Sequence, residues 1–335
     1  MQRALRLLFP LLLLAASAAS AAIDPAGCQR IDTGPGPGDM VVQRETGQPP
    51  RLLLSSHDRR HFSRTGEIQA YTPDTGRLVT LTRLGEPVGF RLRPHGIDLI
   101  QRDGHWLLYV VSHDRDQISD QHAIVIYELA GNTLKFQQML RSPLLSAVND
   151  VAVTAHGDIY ATNERESGNS ILELILLERK ANVVLYRPSL GWTKVAGELA
   201  YANDVLLQGN SVWVAQTLGS GLMHYQRRTD DTLLPGEQVS NLSLLSGLSL
   251  ARNGHLLVTR HPSLIQLGLH WQHEGSRTPS EVYDVNPQTG EAQILFQDDG
   301  QHISAITAAV QMDNRLFLGQ FFDSFILSCP MPTGY

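Results

Sequence analysis

The apolar positions of this chain fall in short runs separated by turn residues, and the runs recur. Residues 144–163 show the unit most plainly: an apolar run at 151–153, a His156-Gly157-Asp158 turn, then Ile159-Tyr160-Ala161 ending in polar residues. Two apolar runs around a glycine-containing turn predict a β-hairpin. The second strand of that hairpin has counterparts whose first apolar residues are Leu52, Leu107, Ile159, Val212, Leu256 and Leu316, at spacings of 44 to 60 residues. Units of that size, with no long helices between them, indicate the blades of a propeller. An inner strand precedes each copy, at 39–43, 96–100, 150–154, 204–207, 248–251 and 305–310, and an outer pair follows. Four strands in each of six units predict an all-β fold, a six-bladed β-propeller over residues 23–335. The last unit is short of strands, so the segment around Cys28 is expected to complete its blade. One stretch departs from the pattern: 170–180 is rich in helix formers and reads as a short inserted helix, capping one mouth of the ring or filling a surface gap.

The first 22 residues belong to another kind of pattern. Arg3 and Arg6 precede a leucine-rich run and a small-residue tract to Ala22. The apolar part is short for a membrane span, so a secretory signal peptide is expected, with an uncleaved anchor as the alternative. Membrane association follows only if that segment is retained; otherwise the chain is exported, to a periplasm or the outside. There are two cysteines, Cys28 and Cys329, which bracket the mature domain. In an oxidising compartment they suggest a disulfide pinning the ring closed, worth about 4–5 kcal/mol in a chain-entropy account; two unpaired thiols are the alternative. A net charge of −6 leaves no basic footprint for nucleic acid.

Inner strands line the axis of a propeller, so their first residues should meet there. These are Gly38-Asp39, His95-Gly96-Ile97, Asn149-Asp150, Asn203-Asp204, Ser246-Gly247 and Ser304-Ala305. Asn-Asp pairs suit a strand interior poorly, which marks them as chemistry. Such oxygens suit a hard cation such as calcium, which takes about 6–8 of them; they equally suit hydrogen bonding to backbone ends and channel water.

Pro94-His95-Gly96-Ile97, Val110-Val111-Ser112-His113, Asn149-Asp150, Ala202-Asn203 and Arg260-His261-Pro262, in that order between Cys28 and Cys329, resemble the paraoxonase/arylesterase family within the gluconolactonase-like propellers. The resemblance implies two calcium ions in the channel and hydrolysis of small-molecule lactones and aryl esters. It implies a structural calcium held by the carboxylates of Asp39 and Asp150 and the carbonyl of Ile97, a catalytic histidine pair in His95 and His113, and His261 at the substrate pocket. For the second, catalytic calcium it implies Asn149 and Asn203. There the chain departs from the family: the expected Glu is Gly38, and an expected Asp-Asn pair is Ser246-Gly247. Asp204 adds a carboxylate that alternation turns toward the deeper site. Without that second metal, ester hydrolysis needs another electrophile, for which Arg165 and Arg260 are candidates by position. No Gly-x-Ser-x-Gly nucleophile motif occurs. Three functions follow: a calcium-dependent esterase or lactonase, a non-catalytic calcium-stabilised binding propeller, and, with less support, a lyase or condensing activity of the kind this fold also hosts.

Overall fold

The structure, a computed structural model, describes residues 22–61, 63–115, 120–166, 179–219, 221–333 and 335. The leader at 1–21 and the helix expected at 170–180, apart from non-helical 179–180, lie outside the described residues. Six sheets, antiparallel but for one edge strand, form the blades, and each inner strand touches the inner strands of both neighbouring blades, so the ring closes. The inner strands are Pro37–Gln43, Pro94–Arg102, Val148–Val153, Ala202–Gln208, Leu245–Leu250 and Ile306–Met312, in blades one to six. Blade two carries a fifth strand, Thr82–Leu84, which pairs in parallel with Thr133–Leu140. Blade six is completed by Gln29–Asp32, antiparallel to Phe325–Pro330, and beside that seam Cys28 is disulfide-bonded to Cys329.

The second strands are apolar without alternation because both of their faces are covered. Leu52 and Leu54 pack toward blade six, against Val310 and Phe317, while Leu53 packs toward blade two, against Leu108 and Val110. The same division recurs at every seam: Tyr109 against Val151, Tyr160 against Val212, Trp213 against Val258, and Leu257 against Leu318. The core is therefore six wedges between blades, and blade order is fixed by which wedge each side chain fills.

Among the described residues the one α-helix is Leu264–Gln272, in blade five, where no helix is expected from the sequence. Ser263 caps it, its Oγ accepting from the Gln266 N–H at 3.3 Å. Its Leu264, Ile265, Leu269 and Trp271 are exposed, so no apolar stripe announces it. Arg60 ties it to blade one by donating to the His270 carbonyl at 2.8 Å. No helix among the described residues is long and apolar enough to cross a membrane.

Candidate active site at the propeller axis

All six inner strands slip register against their second strands at the same place. The irregularities fall between Pro37 and Asp39, Pro94 and Ile97, Val148 and Val151, Ala202 and Val205, Leu245 and Leu248, and Ile306 and Ala308. The residues inside them are Gly38, His95-Gly96, Asn149-Asp150, Asn203-Asp204, Ser246-Gly247 and Thr307. A bulge frees backbone groups and re-aims side chains, which explains adjacent polar residues in an otherwise apolar strand. In the sixth blade the converging residue is Thr307, not Ser304-Ala305 as the spacing suggests: Ala305 precedes the strand at φ 54°.

These side chains enclose an axial space of about 20 Å³, room for about one water or ion. Below it lie four half-buried or buried acids, each accepting from the backbone of the next blade. The Ile97 N–H donates to Asp39 at 2.7 Å, Val153 N–H to Asp98 at 2.7 Å and Val205 N–H to Asp150 at 3.1 Å; Leu248 N–H donates to Asp204. Burial pushes the Asp39 carboxyl up to about 7 and Asp98 to about 6. Asp150 and Asp204 are raised well above the carboxylate range, by burial first and then by neighbouring acids, and they share a hydrogen bond. Asp204 therefore belongs with the deeper acids, and Asp98, which the sequence reading omits, joins the same series. Its signal was its place next to Ile97 in an inner strand.

Above the axial space opens a cavity of about 130 Å³. His95 borders both. The His95 and His113 rings lie with centroids 4.7 Å apart, and His113 Nε2 donates to the Val148 carbonyl at 2.8 Å, which fixes its tautomer. Burial holds both imidazoles well below the ordinary histidine range; for His95 the Arg59 guanidinium adds to it, and for His113 the neighbouring His122. Asn149 donates to Glu164, and Asn203 Nδ2 to Thr217 Oγ1 at 2.9 Å. His261 is buried but lies in the wall of neither space. Arg165 lines the outer cavity and is paired to Glu164 at 3.3 Å, whereas Arg260 is paired to Glu281 at 2.6 Å, away from both.

Sequence reasoning also missed Arg59, which is 3% exposed and borders both spaces. A Cβ at position 38 would lie 2.6 Å from its Nη2 and 3.0 Å from its Cζ, so the guanidinium occupies the room that a glutamate side chain there would claim. A Cβ at position 247 would lie 2.0 Å from the Thr307 carbonyl oxygen, so that position has no space for a ligand side chain. Of the donors of a second calcium, Asn149 and Asn203 remain, but the carboxylates are replaced by a cation, a serine and bare backbone, and what is left does not fit the ion. Among the described residues no three His, Cys, Asp or Glu side chains stand close enough together to grip a metal.

A six-bladed ring with a polar axial shaft and paired imidazoles at one mouth defines the class. The chain belongs to the arylesterase family, whose model, described as Arylesterase, matches residues 62–330. It is 26% identical over 240 residues to serum paraoxonase/arylesterase 1 of Rattus norvegicus, covering 68% of this chain and 66% of that one. It is 25% identical, with the same coverage, to serum paraoxonase/lactonase 3 of Homo sapiens. The match thus spans just under two thirds of these relatives' length. Among solved structures, a luciferin-regenerating enzyme superposes with TM-score 0.57 at 10% identity, over 93% of this chain and 95% of that one. A gluconolactonase from Xanthomonas campestris superposes with TM-score 0.53 at 14% identity, over 91% and 98%. At these identities the likeness is one of fold.

Proposed function

We propose that the chain is an exported hydrolase of small lactones or aryl esters. The observation that carries this reading is the His95–His113 pair, its rings 4.7 Å apart, at the floor of a cavity of about 130 Å³. A neutral imidazole is a base for water, and both rings are held neutral by burial. His95 takes the proton of the attacking water and returns it to the leaving oxygen; His113, anchored on the Val148 carbonyl, positions it. The outer cavity holds the acyl group away from bulk water, with Trp271 and Phe321 in its wall.

The deeper acids suit a structural calcium better than the upper site suits a catalytic one. Asp39, Asp150 and Asp204 repel one another where burial has stripped away water, and a dication held by Asp39, Asp150 and the Ile97 carbonyl would neutralise that charge. The test is turnover of phenyl acetate and a medium-chain lactone by the mature protein, with His95→Gln alongside. Loss of a general base predicts a fall of about 10²–10⁴ in kcat with the melting temperature retained. A second reading is supported by Gly38, Ser246 and the space denied at Gly247: a calcium-stabilised binding propeller without turnover. It stands if neither substrate is hydrolysed above background while calcium still raises the melting temperature.

A further inference from the structure

Arg59 leaves blade one just after the strand Arg51–Ser56 and turns into the shaft. Its Nη1 donates to the Gly36 carbonyl at 2.8 Å and to that of His57 at 3.4 Å, and the Phe321 ring covers its Cζ at 4.7 Å. Its Nη2 and Nε are buried with no hydrogen-bond partner. Two donors of a buried cation left unused are costly, and a native fold that keeps them calls for an explanation. Burial pulls this guanidinium down to about 10, the Asp39 charge opposing, so it remains a cation at neutral pH. Nη2 faces Gly38, whose missing side chain makes its place, and the space it borders is shared with His95, Asn149, Asn203 and Thr307.

We propose that Arg59 is the oxyanion-binding residue of this site, taking the carbonyl oxygen of the acyl substrate where the family pattern would put a second calcium. The proposal rests on the hydrolase reading above. Water oxygen bonds to the acyl carbon, its proton passes to His95, and the carbonyl π pair moves onto the oxygen that accepts from Nη2 and Nε. The tetrahedral species then re-forms the carbonyl, the C–O bond to the leaving group breaks, and His95 returns the proton to that alkoxide. Arg59 keeps its own protons throughout, and water is the sole co-reactant.

Three measurements decide it: phenyl acetate turnover with EDTA and with calcium, phenylphosphonate affinity by calorimetry, and melting temperature, each on the wild type, Arg59→Ala, Arg59→Lys and Gly38→Ala. At a temperature where the melting curve shows the EDTA-treated protein still folded, so that loss of the deeper structural ion does not count as loss of a catalytic one, wild-type turnover should differ less than about twofold between EDTA and calcium. Arg59→Ala should lose about 10²–10³ in kcat, the cost of one oxyanion-hole donor, regain part of it with added methylguanidinium, and lose phenylphosphonate binding at least tenfold. Gly38→Ala keeps the arginine but pushes it aside, so it should lower both readouts even if Arg59→Ala does not fold. Turnover abolished by EDTA and restored by calcium while the melting curve shows the EDTA-treated protein still folded at the assay temperature, or phosphonate affinity unchanged across the variants, overturns the proposal. If the wild type hydrolyses no ester or lactone, the hydrolase reading fails by itself. Phosphonate binding then decides: dependence on Arg59 upholds the oxyanion site, and absent or Arg59-independent binding rejects it.

Discussion

A buried imidazole with an unbonded ring nitrogen makes a fold sensitive to acid, and His261 is one. Its Nδ1 has no hydrogen-bond partner, and burial alone lowers its pKa from 6.5 to about 4. The unfolded chain takes up that proton more readily than the folded one. The stability contributed is therefore complete above pH 6.5 and is lost as the pH falls toward 4, by up to about 3 kcal/mol. His261→Leu should flatten the acid limb of a urea-midpoint against pH curve between 6.5 and 4 while leaving pH 8 little changed. Parallel curves for variant and wild type would reject the assignment. His113, near the end of a second strand, was legible only through the family resemblance, whereas His95, Asn149 and Asn203 were readable in the sequence because the strand pattern brings them to the axis. Arg59 was not: it stands in a turn outside the repeat, and its placement depends on a side chain that Gly38 lacks. His261, which the resemblance puts at the substrate pocket, lies outside the walls of the axial space and the outer cavity, since a strand's end fixes its level in the ring but not whether the cavity reaches it.

At the level of strands, one device closes seam after seam. Hydroxyls at the ends of second strands, or one residue past them, donate to the carbonyl that opens the next inner strand: Ser55 to His95 at 2.6 Å, Thr162 to Asn203 and Thr217 to Leu245 at 2.8 Å, and Thr259 to Thr307 at 3.3 Å. Thr307 passes the series on to the Gly38 carbonyl at 2.6 Å. The bulge turns those carbonyls sideways, out of their own sheet, and the hydroxyl of the preceding blade satisfies them. Thr162 does double duty, since its Oγ1 also accepts from the Asp150 N–H at 3.2 Å. Thr162→Val keeps the shape and deletes both bonds, leaving a buried carbonyl and a buried amide unpaired. The expected loss is about 2 kcal/mol in urea unfolding. A loss below about 0.5 kcal/mol would mean that water replaces the hydroxyl and the seam does not depend on it. The inner and second strands were legible as apolar runs, yet this bonding was not, because nothing in the pattern says that a strand-end Ser or Thr points across a seam. The fifth strand of blade two, Thr82–Leu84, was hidden likewise: three residues carry no period.

Over the whole molecule, a propeller has one weak seam, where the last blade must capture the first residues of the domain. Here the capturing strand is Gln29–Asp32, mostly exposed and contributing little apolar burial, so its pairing with Phe325–Pro330 supplies few contacts of its own. The Cys28–Cys329 disulfide, joining residues 301 apart, does what that strand cannot: Cys329 is fully buried in the wedge between blades five and six, and it tethers the start of the domain to that wedge. The repeat count and the two cysteines made this closure readable before any coordinates, whereas the wedge that anchors it depends on three-dimensional packing. Constraining so long a loop in the unfolded chain predicts that Cys28→Ser with Cys329→Ser costs about 4–5 kcal/mol. Because the six wedges remain intact, the variant should stay folded at 25 °C, with blade six fraying first. Hydrogen exchange should then quicken in Gln29–Asp32 and Phe325–Pro330 ahead of the inner strands. Dithiothreitol should lower the wild-type urea midpoint to that of the double variant and leave the variant unmoved. A wild-type midpoint indifferent to full reduction would show that packing alone holds the ring shut, and the tether would lose its role.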